Sequence, residues 1–457
     1  MKSKIIRITN FHATKLNNER DILIYLPEGY EESPEERYPV LYMHDGKNVF
    51  HNTKQAYSES SWNVNLTVDS LIEQGIITKL IIVGISNNSS RASEYTHRSS
   101  VHRIVKHSVF GEYELNAEGN GLLYEDFIIH DLKPYIDSQY RTLMGPEDTG
   151  MIGSSMGGLV TYNIGFRRPD VFGMIGVMSP AFFWDDEEAL VPYQKEPLKI
   201  WMDVGEGETD YIPRTKKIAD VLCNAGYRLG EDFMFYQEPM AVHNEKSWGE
   251  RLPMILIYFF GTLGKPVRTQ LYGLTELGLN SKNISINPLI FYDSGVVISH
   301  IRGVYTVTDK GIVSVSAEGN VIPKGVGETE VTFEYDGMKH TRKYTVIDMV
   351  PEFVTISYIV EVPMNTPEDA DVYIASHESM PLKLDKREKG IYQGSATYRW
   401  GQLVTIQIRR EEQCFGKENL TVEQDKNGID ITLKQFIANK NKEEVYWVEK
   451  WRDIDNE

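Results

Sequence analysis

The chain has 457 residues, of which 41% are hydrophobic and 11% aromatic. This length exceeds the roughly 100–200 residues of one domain and predicts two or three domains, and the composition excludes a disordered or collagen-like protein. The 48 basic and 66 acidic residues give a formal charge of −18, which argues against a nucleic-acid partner because phosphates repel an acidic surface.

The sequence also carries no pattern of a membrane or disulfide-rich secreted protein. No apolar run approaches the roughly 18 residues that a bilayer-spanning helix needs, and no apolar core of a signal peptide follows the first basic residues. We therefore expect no membrane partner and a cytoplasmic location, or a secreted one if a signal has been removed. Cys223 and Cys414 lie far apart and are predicted to be thiols rather than a disulfide.

Up to about residue 262, short apolar runs alternate with helical stretches. The predicted strands are residues 22–26, 40–43, 80–85, 150–152, 174–178, 200–204 and 233–236. Between the third and fourth strands, Tyr124, Ile128, Leu132 and Ile136 recur every four residues, which predicts a helix with one apolar stripe. Such alternation is typical of an α/β domain with a mostly parallel sheet covered by helices on both faces.

After Gly261 the pattern becomes that of β-structure. Apolar and polar residues alternate over 329–335, and Asp336-Gly337 then predicts a hairpin turn. A second such block runs from about 353 to 448. We expect two small all-β sandwich domains in series, with domains at 1–264, 265–350 and 351–457. Edge strands of the β domains could pair between chains and form an oligomer.

The most specific motif is Gly153-Ser154-Ser155-Met156-Gly157, a G-x-S-x-G pattern between a predicted strand and a predicted helix. In this context the glycines permit a sharp turn that exposes the serine hydroxyl. Ser155 is therefore the candidate nucleophile. The alternative is a chance match on a turn rich in Gly and Ser.

A serine needs a neighbouring base, and His243 follows the last predicted strand of the α/β domain, where that base would lie. An acid is expected after the preceding strand, to orient the imidazole. The carboxylates available there are Asp203, Glu206, Glu208 and Asp210. Glu208 is the first choice and Asp210 the second, and the alternative is a solvated acidic loop.

The oxyanion of an acyl-transfer reaction needs two N–H donors. We assign them to Met156, which follows the candidate nucleophile, and to Lys47, which follows Gly46 in the loop after an early strand. His44 and Asp45 could instead be metal ligands. Because no second cluster has zinc-like spacing, we expect neither a catalytic metal nor another cofactor.

Four motifs together resemble the putative esterase family of α/β-hydrolases. They are residues 42–50, residues 83–85 with Arg91 and Glu94-Tyr95, residues 153–158, and His243-Asn244-Glu245 with Trp248. The family includes esterase D-like enzymes, feruloyl and acetyl-xylan esterases, and enterochelin-type siderophore esterases. The resemblance covers roughly residues 8–262 and implies a serine carboxylester hydrolase with Ser155 as nucleophile and His243 as base. Lys47 stands where many members carry glutamine, a change that leaves a backbone donor in place.

The C-terminal part resembles two known kinds of module. Residues 311–329 are similar to a bacterial Ig-like module, and the block from 362 to 448 is similar to starch-binding-like carbohydrate modules. Residues 376–380 lack the aromatic stretch that those modules carry, which favours a packing or spacer role over glycan binding.

These features predict an esterase that forms an acyl-enzyme on a small or carbohydrate-linked ester carrying an acetyl, feruloyl or short-chain acyl group. The alternatives are a siderophore-type esterase and a carbohydrate-binding or scaffold protein whose hydrolase domain is inactive. Candidates for an aromatic pocket, which could equally be core residues, are Trp62, Tyr95, Phe182, Phe183 and Trp184.

Overall fold

The computed structural model describes residues 2–50, 61–98, 100–107, 111–184, 194–376, 381–411, 419–424, 430–431, 434–448 and 450–451. Across these residues, no helix combines the length and the apolar character needed to traverse a lipid bilayer. Cys223 is a free, half-buried thiol, as predicted, and Cys414 lies outside the described residues.

The N-terminal part consists of alternating strands and helices. The strands are β1 Lys4–Ala13, β2 Asn18–Leu26, β3 Val40–His44, β4 Ile81–Ile85, β5 Ser100–His107, β6 Gly111–Glu118, β7 Thr149–Ser154, β8 Met174–Met178, β9 Lys199–Gly205 and β10 Phe233–Glu238. The helices are α1 Val64–Glu73, α2 Arg91–Glu94, α3 Gly121–Asp126, α4 Lys133–Gln139, α5 Met156–Arg167, α6 Ile212–Asn224 and α7 Glu245–Phe260, with short 3₁₀ turns at Gly46–Asn48, Pro146–Asp148 and Phe182–Trp184.

Eight of these strands form one sheet in the order β1-β2-β4-β3-β7-β8-β9-β10. The strands from β4 to β10 in this order run parallel, whereas β1 and β2 pair antiparallel at one edge. All seven predicted strands lie in this sheet, which confirms the α/β prediction. Since the carboxyl ends of parallel strands meet at one edge, the loops after β3, β7, β8, β9 and β10 are brought together there.

The predicted helix around residues 124–136 exists but is not uniform. A π-helical segment, Phe127–Leu132, joins α3 to α4. Apolar residues every four positions would wind around a regular helix, which has 3.6 residues per turn. The wider turn of the π segment offsets this drift, so that Tyr124, Ile128, Leu132 and Ile136 are all fully buried.

The described residues after Gly261 form β-strands and their connecting loops, as predicted. A first β region contains β11 Pro266–Tyr272, β12 Glu276–Gly278, β13 Ile284–Ser285, β14 Asn287–Tyr292, β15 Val297–Ser299, β16 Val304–Val307, β17 Val313–Val315, β18 Asn320–Pro323, β19 Gly327–Tyr335 and β20 Met338–Ile347. A second β region contains β21 Phe353–Glu361, β22 Asp371–Ser376, β23 Leu382–Lys383, β24 Asp385–Glu388, β25 Ile391–Arg399, β26 Gln402–Glu411, β27 Asn419–Gln424, β28 Asp430–Ile431, β29 Lys434–Ala438, β30 Lys442–Trp447 and β31 Lys450–Trp451.

Both regions form several small sheets. The turn predicted at Asp336-Gly337 joins β19 to β20, and both of its residues have positive φ, as a tight hairpin turn requires. The domain boundaries at 264/265 and 350/351, and the resemblances to an Ig-like and a starch-binding-like module, stay predictions. The prediction of a packing or spacer role rests on residues 376–380. Of these, residues 377–380 lie outside the described residues.

The first β region packs directly on the α/β domain. One continuous hydrophobic cluster includes Met234 and Tyr236 of β10 together with Ile290 and Ile298 of the first β region. Polar contacts reinforce this packing, since the backbone N–H of Gln237 donates to the hydroxyl of Ser299 at 2.9 Å and Asn287 donates to the Gln237 carbonyl at 2.7 Å. The first β region therefore holds the end of β10 in place through these contacts.

Candidate active site

Ser155 lies in a sharp turn between β7 and α5. Its φ of 59° and ψ of −122° are unfavourable for a residue with a side chain, and such strain persists only where the surroundings enforce it. The glycines of the motif make the turn sterically feasible. A Cβ on Gly153 would lie 2.4 Å from the carbonyl oxygen of Gly157, and a Cβ on Gly158 would lie 2.8 Å from that of Met178. The turn thus places the Ser155 hydroxyl at the carboxyl edge of the sheet.

The structure brings the predicted serine, histidine and acid together. Oγ of Ser155 lies 3.0 Å from Nε2 of His243. On the other side of the imidazole, Nδ1 lies 3.3 Å from Oε1 of Glu208, which is an ion-pair distance and longer than a typical charge-assisted hydrogen bond. His243 is about a quarter exposed and Glu208 is fully buried. This arrangement can take a proton from a hydroxyl and stabilise the imidazolium that results.

Several polar groups stabilise the charged form of Glu208. Its Oε2 accepts the N–H of Gly205 at 2.9 Å, and its Oε1 accepts the hydroxyl of Ser179 at 2.8 Å. Burial alone would raise the pKa of this carboxyl, but His243, Arg251 and the Gly205 N–H outweigh it and hold the pKa below its usual value. Glu208 is therefore a carboxylate at neutral pH.

A fully buried arginine organises the region behind Glu208. Arg251 of α7 donates to the Ser179 hydroxyl at 2.8 Å and to Glu238 at 2.9 Å, and its Nε lies 3.0 Å from Oδ1 of Asp203. Burial raises the pKa of Asp203 to about 6 and that of Glu238 to about 7, against the opposing charge of Arg251. The ion pairs thus link β9 and the end of β10 to α7, the helix that begins two residues after His243.

The other candidate carboxylates have different surroundings, Asp203 in β9 and Glu206 and Asp210 in the loop that follows it, residues 206–211, here called the acid loop. Asp203 accepts the indole N–H of Trp201 at 2.7 Å in addition to its ion pair with Arg251, and Glu206 accepts the backbone N–H of Met240 at 2.8 Å. Asp210 is half-buried one turn further on. The carboxylate that faces the His243 imidazole is that of Glu208, the first choice from the sequence.

The two predicted oxyanion donors come from adjoining loops. Met156 is the first residue of α5, and the first N–H groups of a helix have no acceptor within it. Lys47 lies in the 3₁₀ turn after β3, where a Cβ on Gly46 would lie 2.6 Å from the backbone of Gly84. A Cβ on Gly157 would lie 3.3 Å from the Asp45 carboxylate, so the turn after β3 packs against the start of α5.

His44 and Asp45, considered above as metal ligands, have other partners. Nδ1 of His44 lies 2.9 Å from the hydroxyl of Tyr124, and burial lowers the His44 pKa to about 3, so this imidazole is neutral. Asp45 binds the Arg91 guanidinium through both oxygens, at 2.7 and 2.8 Å. Across the described residues, no three His, Cys, Asp or Glu side chains are grouped as a metal site would require.

Two aromatic rings hold the imidazole of His243. Tyr211 stacks on it with a centroid distance of 4.4 Å, and Trp248 meets it edge-on at 4.9 Å. Two of the predicted pocket residues lie behind these rings. Phe183 packs against Tyr211 at 5.1 Å, and Trp62 packs against Trp248 at 5.9 Å.

The remaining predicted pocket residues lie elsewhere. Phe182 is buried against Tyr162, and Tyr95 is buried beside His44. The indole N–H of Trp184 donates to the hydroxyl of Thr96 at 2.7 Å. Phe182 and Tyr95 are therefore core residues.

Three residues of the site, Ser179, Tyr211 and Arg251, were not predicted from the sequence. Arg251 did leave a signal, because it lies on the same helix face as Trp248 and Ile255, three residues before it and four after it, which are both buried apolar residues. An ionised side chain in an apolar stripe is normally paired. Ser179 and Tyr211 left no comparable signal, since their partners are distant in sequence.

The α/β part of the chain is similar to known proteins. A family model described as "Putative esterase" matches residues 13–259, which is more than half of the chain. The endo-1,4-beta-xylanase/feruloyl esterase of Xylanibacter ruminicola is 28% identical over 216 residues, which are 45% of this chain and 25% of that protein. The ferri-bacillibactin esterase BesA of Bacillus subtilis is 24% identical over 213 residues, 43% of this chain and 70% of that protein.

Solved structures of similar proteins include a ferulic acid esterase, with a TM-score of 0.44 and 19% identity over 57% of this chain and 99% of that chain. They also include the enterobactin esterase of Shigella flexneri, with a TM-score of 0.44 and 17% identity over 56% of this chain and 59% of that chain. On the match to the family model, the chain belongs to the putative esterase family and is an esterase.

Proposed function

We propose that the protein is a serine carboxylester hydrolase that works through an acyl-enzyme, with Ser155 as nucleophile, His243 as base and Glu208 as acid. The observation that carries this proposal is the chain of contacts from Ser155 Oγ to His243 Nε2 at 3.0 Å and from His243 Nδ1 to Glu208 Oε1 at 3.3 Å. Their order along the chain, serine, acid and then histidine, agrees with that of α/β-hydrolases.

In the first step, His243 accepts the Ser155 proton while Oγ forms a bond to the carbonyl carbon of the ester. The carbonyl oxygen becomes an oxyanion, which the backbone N–H groups of Met156 and Lys47 stabilise. Glu208 stabilises the imidazolium. The tetrahedral intermediate then breaks its bond to the alcohol oxygen, which leaves with the proton from His243, and the acyl group stays on Ser155.

In the second step, His243 removes a proton from water, and the water oxygen attacks the acyl carbon. Breakage of the bond to Ser155 Oγ releases the carboxylic acid, and His243 returns the proton to Ser155. The cycle consumes one ester and one water and yields one acid and one alcohol.

For the substrate, we propose a small or carbohydrate-linked ester with an acetyl, feruloyl or short-chain acyl group. The name of the Xylanibacter ruminicola relative, an endo-1,4-beta-xylanase/feruloyl esterase, supports this class. The name of BesA, a ferri-bacillibactin esterase, favours the alternative of a siderophore-type substrate. Choice between them depends on the shape of the pocket around the shared site.

The proposal is tested with wild type and Ser155→Ala on p-nitrophenyl acetate, butyrate and octanoate, methyl ferulate, and a catecholate-serine lactone. We expect Ser155→Ala to lower kcat by at least about 10³-fold with an unchanged Tm, since the nucleophile is lost and the fold is kept. Ser138→Ala, which removes an exposed hydroxyl that donates to the Tyr135 carbonyl within α4, is the matched control and should retain full activity.

The outcomes separate the alternatives. Near-full kcat in Ser155→Ala would refute the assignment of the nucleophile. Turnover of the lactone but of no other ester would favour the hypothesis of a siderophore-type esterase. Wild type that hydrolyses no ester and does not react with a fluorophosphonate would favour an inactive hydrolase domain within a binding or scaffold protein.

A further inference from the structure

We propose that Gln435, in β29 of the second β region, is a positioning residue for His243, and that the β regions thereby take part in the esterase site. This inference rests on the proposed function, because it concerns the loop that carries the proposed base. That loop, here called the histidine loop, runs from residue 239 to 244, between β10 and α7.

Met240 is the strained residue of this loop. Its φ is 62°, a left-handed conformation that residues with a side chain adopt only where neighbours enforce it. Both of its backbone polar groups have partners. The N–H donates to Oε2 of Glu206 at 2.8 Å, and the carbonyl accepts a hydrogen bond from Nε2 of Gln435. Met240 is three residues from His243, so these two bonds fix the start of the turn that ends at the imidazole.

The two partners of Met240 connect it to different β regions. Gln435 itself belongs to the second β region, where its Nε2 also lies 3.2 Å from the Thr405 hydroxyl of β26. Glu206 belongs to the acid loop, and its carboxylate interacts electrostatically with the phenol of Tyr272 in β11 of the first β region. The histidine loop is therefore bonded directly to the second β region through Gln435 and is linked to the first β region indirectly, through Glu206.

A second contact brings the same strand, β26, to the acid loop. A Cβ on Gly207 would lie 3.4 Å from Cδ2 of Leu403 and 2.8 Å from Cγ1 of Val242. The N–H of Gly207 also donates to the Ala241 carbonyl at 2.8 Å. The acid loop and the histidine loop are thus bonded to each other, and the second β region lies against both.

This geometry matters for catalysis because proton transfer requires Nε2 of His243 to stay within hydrogen-bond reach of Ser155. Small displacements of a catalytic group lower the rate steeply. Loss of the Gln435 donor leaves the strained turn at Met240 with one tether instead of two. The effect should fall on the chemical step rather than on substrate binding, because Gln435 contacts the loop from outside.

The experiment uses the whole 457-residue chain with Gln435→Met, which keeps the length of the side chain but removes the donor, and Gln435→Arg, which keeps an N–H donor. Gln393→Met is the matched control, since Gln393 is exposed on β25 in a different sheet of the same region. Measurements are the rate of Ser155 labelling by a fluorophosphonate, kcat and KM for p-nitrophenyl acetate, and Tm.

For Gln435→Met we expect labelling and kcat to fall about three- to tenfold, the range for one lost hydrogen bond, with KM and Tm unchanged. Gln435→Arg and Gln393→Met should behave as wild type. Equal labelling of wild type and Gln435→Met would overturn the positioning role and leave the proposed function intact. A large fall in Tm for Gln435→Met, or no recovery in Gln435→Arg, would assign a structural role instead. Wild type that is not labelled at all would overturn both proposals.

Discussion

Replacement of Arg251 by methionine should destabilise the α/β domain strongly. The guanidinium is fully buried and faces Asp203, Glu238 and the Ser179 hydroxyl. Methionine fills a similar volume but leaves two carboxylates without their counter-charge. Removal of one partner of a buried ion pair costs about 3–5 kcal/mol in the free energy of unfolding. For a domain of this size we expect Tm to fall by about 10 °C in differential scanning fluorimetry at pH 8.

The loss of Tm in Arg251→Met relative to wild type should depend on pH in a defined direction. In the wild type, burial already raises the pKa of Asp203 to about 6 and that of Glu238 to about 7, above the ordinary values of 3.8 and 4.5. Without Arg251 both pKa values rise further. When the pKa of a carboxyl is higher in the folded state than in the unfolded state, its contribution to stability is complete at a pH below the unfolded-state pKa. This contribution is lost as the pH rises through the folded-state pKa. The Tm deficit of the variant should therefore be largest at pH 8 and shrink towards pH 5.

Arg302→Met provides the control. Arg302 pairs with Asp220 at 2.6 Å, but both side chains are partly exposed, and such pairs are worth at most about 1 kcal/mol. Its Tm should fall by no more than about 3 °C, with little change between pH 5 and pH 8. If the two variants lost the same Tm, or if the Arg251→Met deficit grew on acidification, the assignment of a charge-compensating role to Arg251 would be wrong.

Two further predictions concern the imidazole of His243. Glu208→Gln should lower kcat for p-nitrophenyl acetate by about 10²–10⁴-fold with little change in KM, because the amide no longer stabilises the imidazolium; kcat within about threefold of wild type would contradict this. Tyr211→Ala removes the ring stacked at 4.4 Å on the imidazole and should lower kcat/KM about three- to tenfold, whereas Tyr211→Phe keeps the ring and should retain most activity; equal losses in both variants would show that the ring is not what matters.

The strands of the α/β domain and the turn at Ser155 could be predicted from the sequence, because residues that are close together in the chain determine them. The seven buried strands were predictable because each is an apolar run in the sequence. Ser155 was predictable because the glycines that permit its turn lie within two positions of it. His243 could be found from its place after the last strand. Glu208 was harder to predict, since four carboxylates lie within eight residues of one another and only the fold decides which of them faces His243.

The features that escaped prediction depend on contacts between distant segments. The link from Arg251 through Ser179 to Glu208 spans three elements, and no short pattern couples them. The π-helical segment at Phe127–Leu132 is a different case, because the four-residue spacing that reveals it was visible but was interpreted as a regular helix. The contact of Gln435 with the histidine loop joins residues 195 positions apart and has no sequence signature.

The shared hydrophobic cluster between the α/β domain and the first β region also has a consequence for synthesis of the chain. The last helix of the α/β domain ends at Phe260, yet the backbone N–H of Val297 approaches the Met254 sulfur at 3.4 Å, and Ile298 lies in the same cluster as Tyr236. A nascent chain that has just emerged to residue 260 therefore presents an uncovered apolar face next to β10. Until some forty more residues leave the ribosome, this face is a target for chaperones and for self-association.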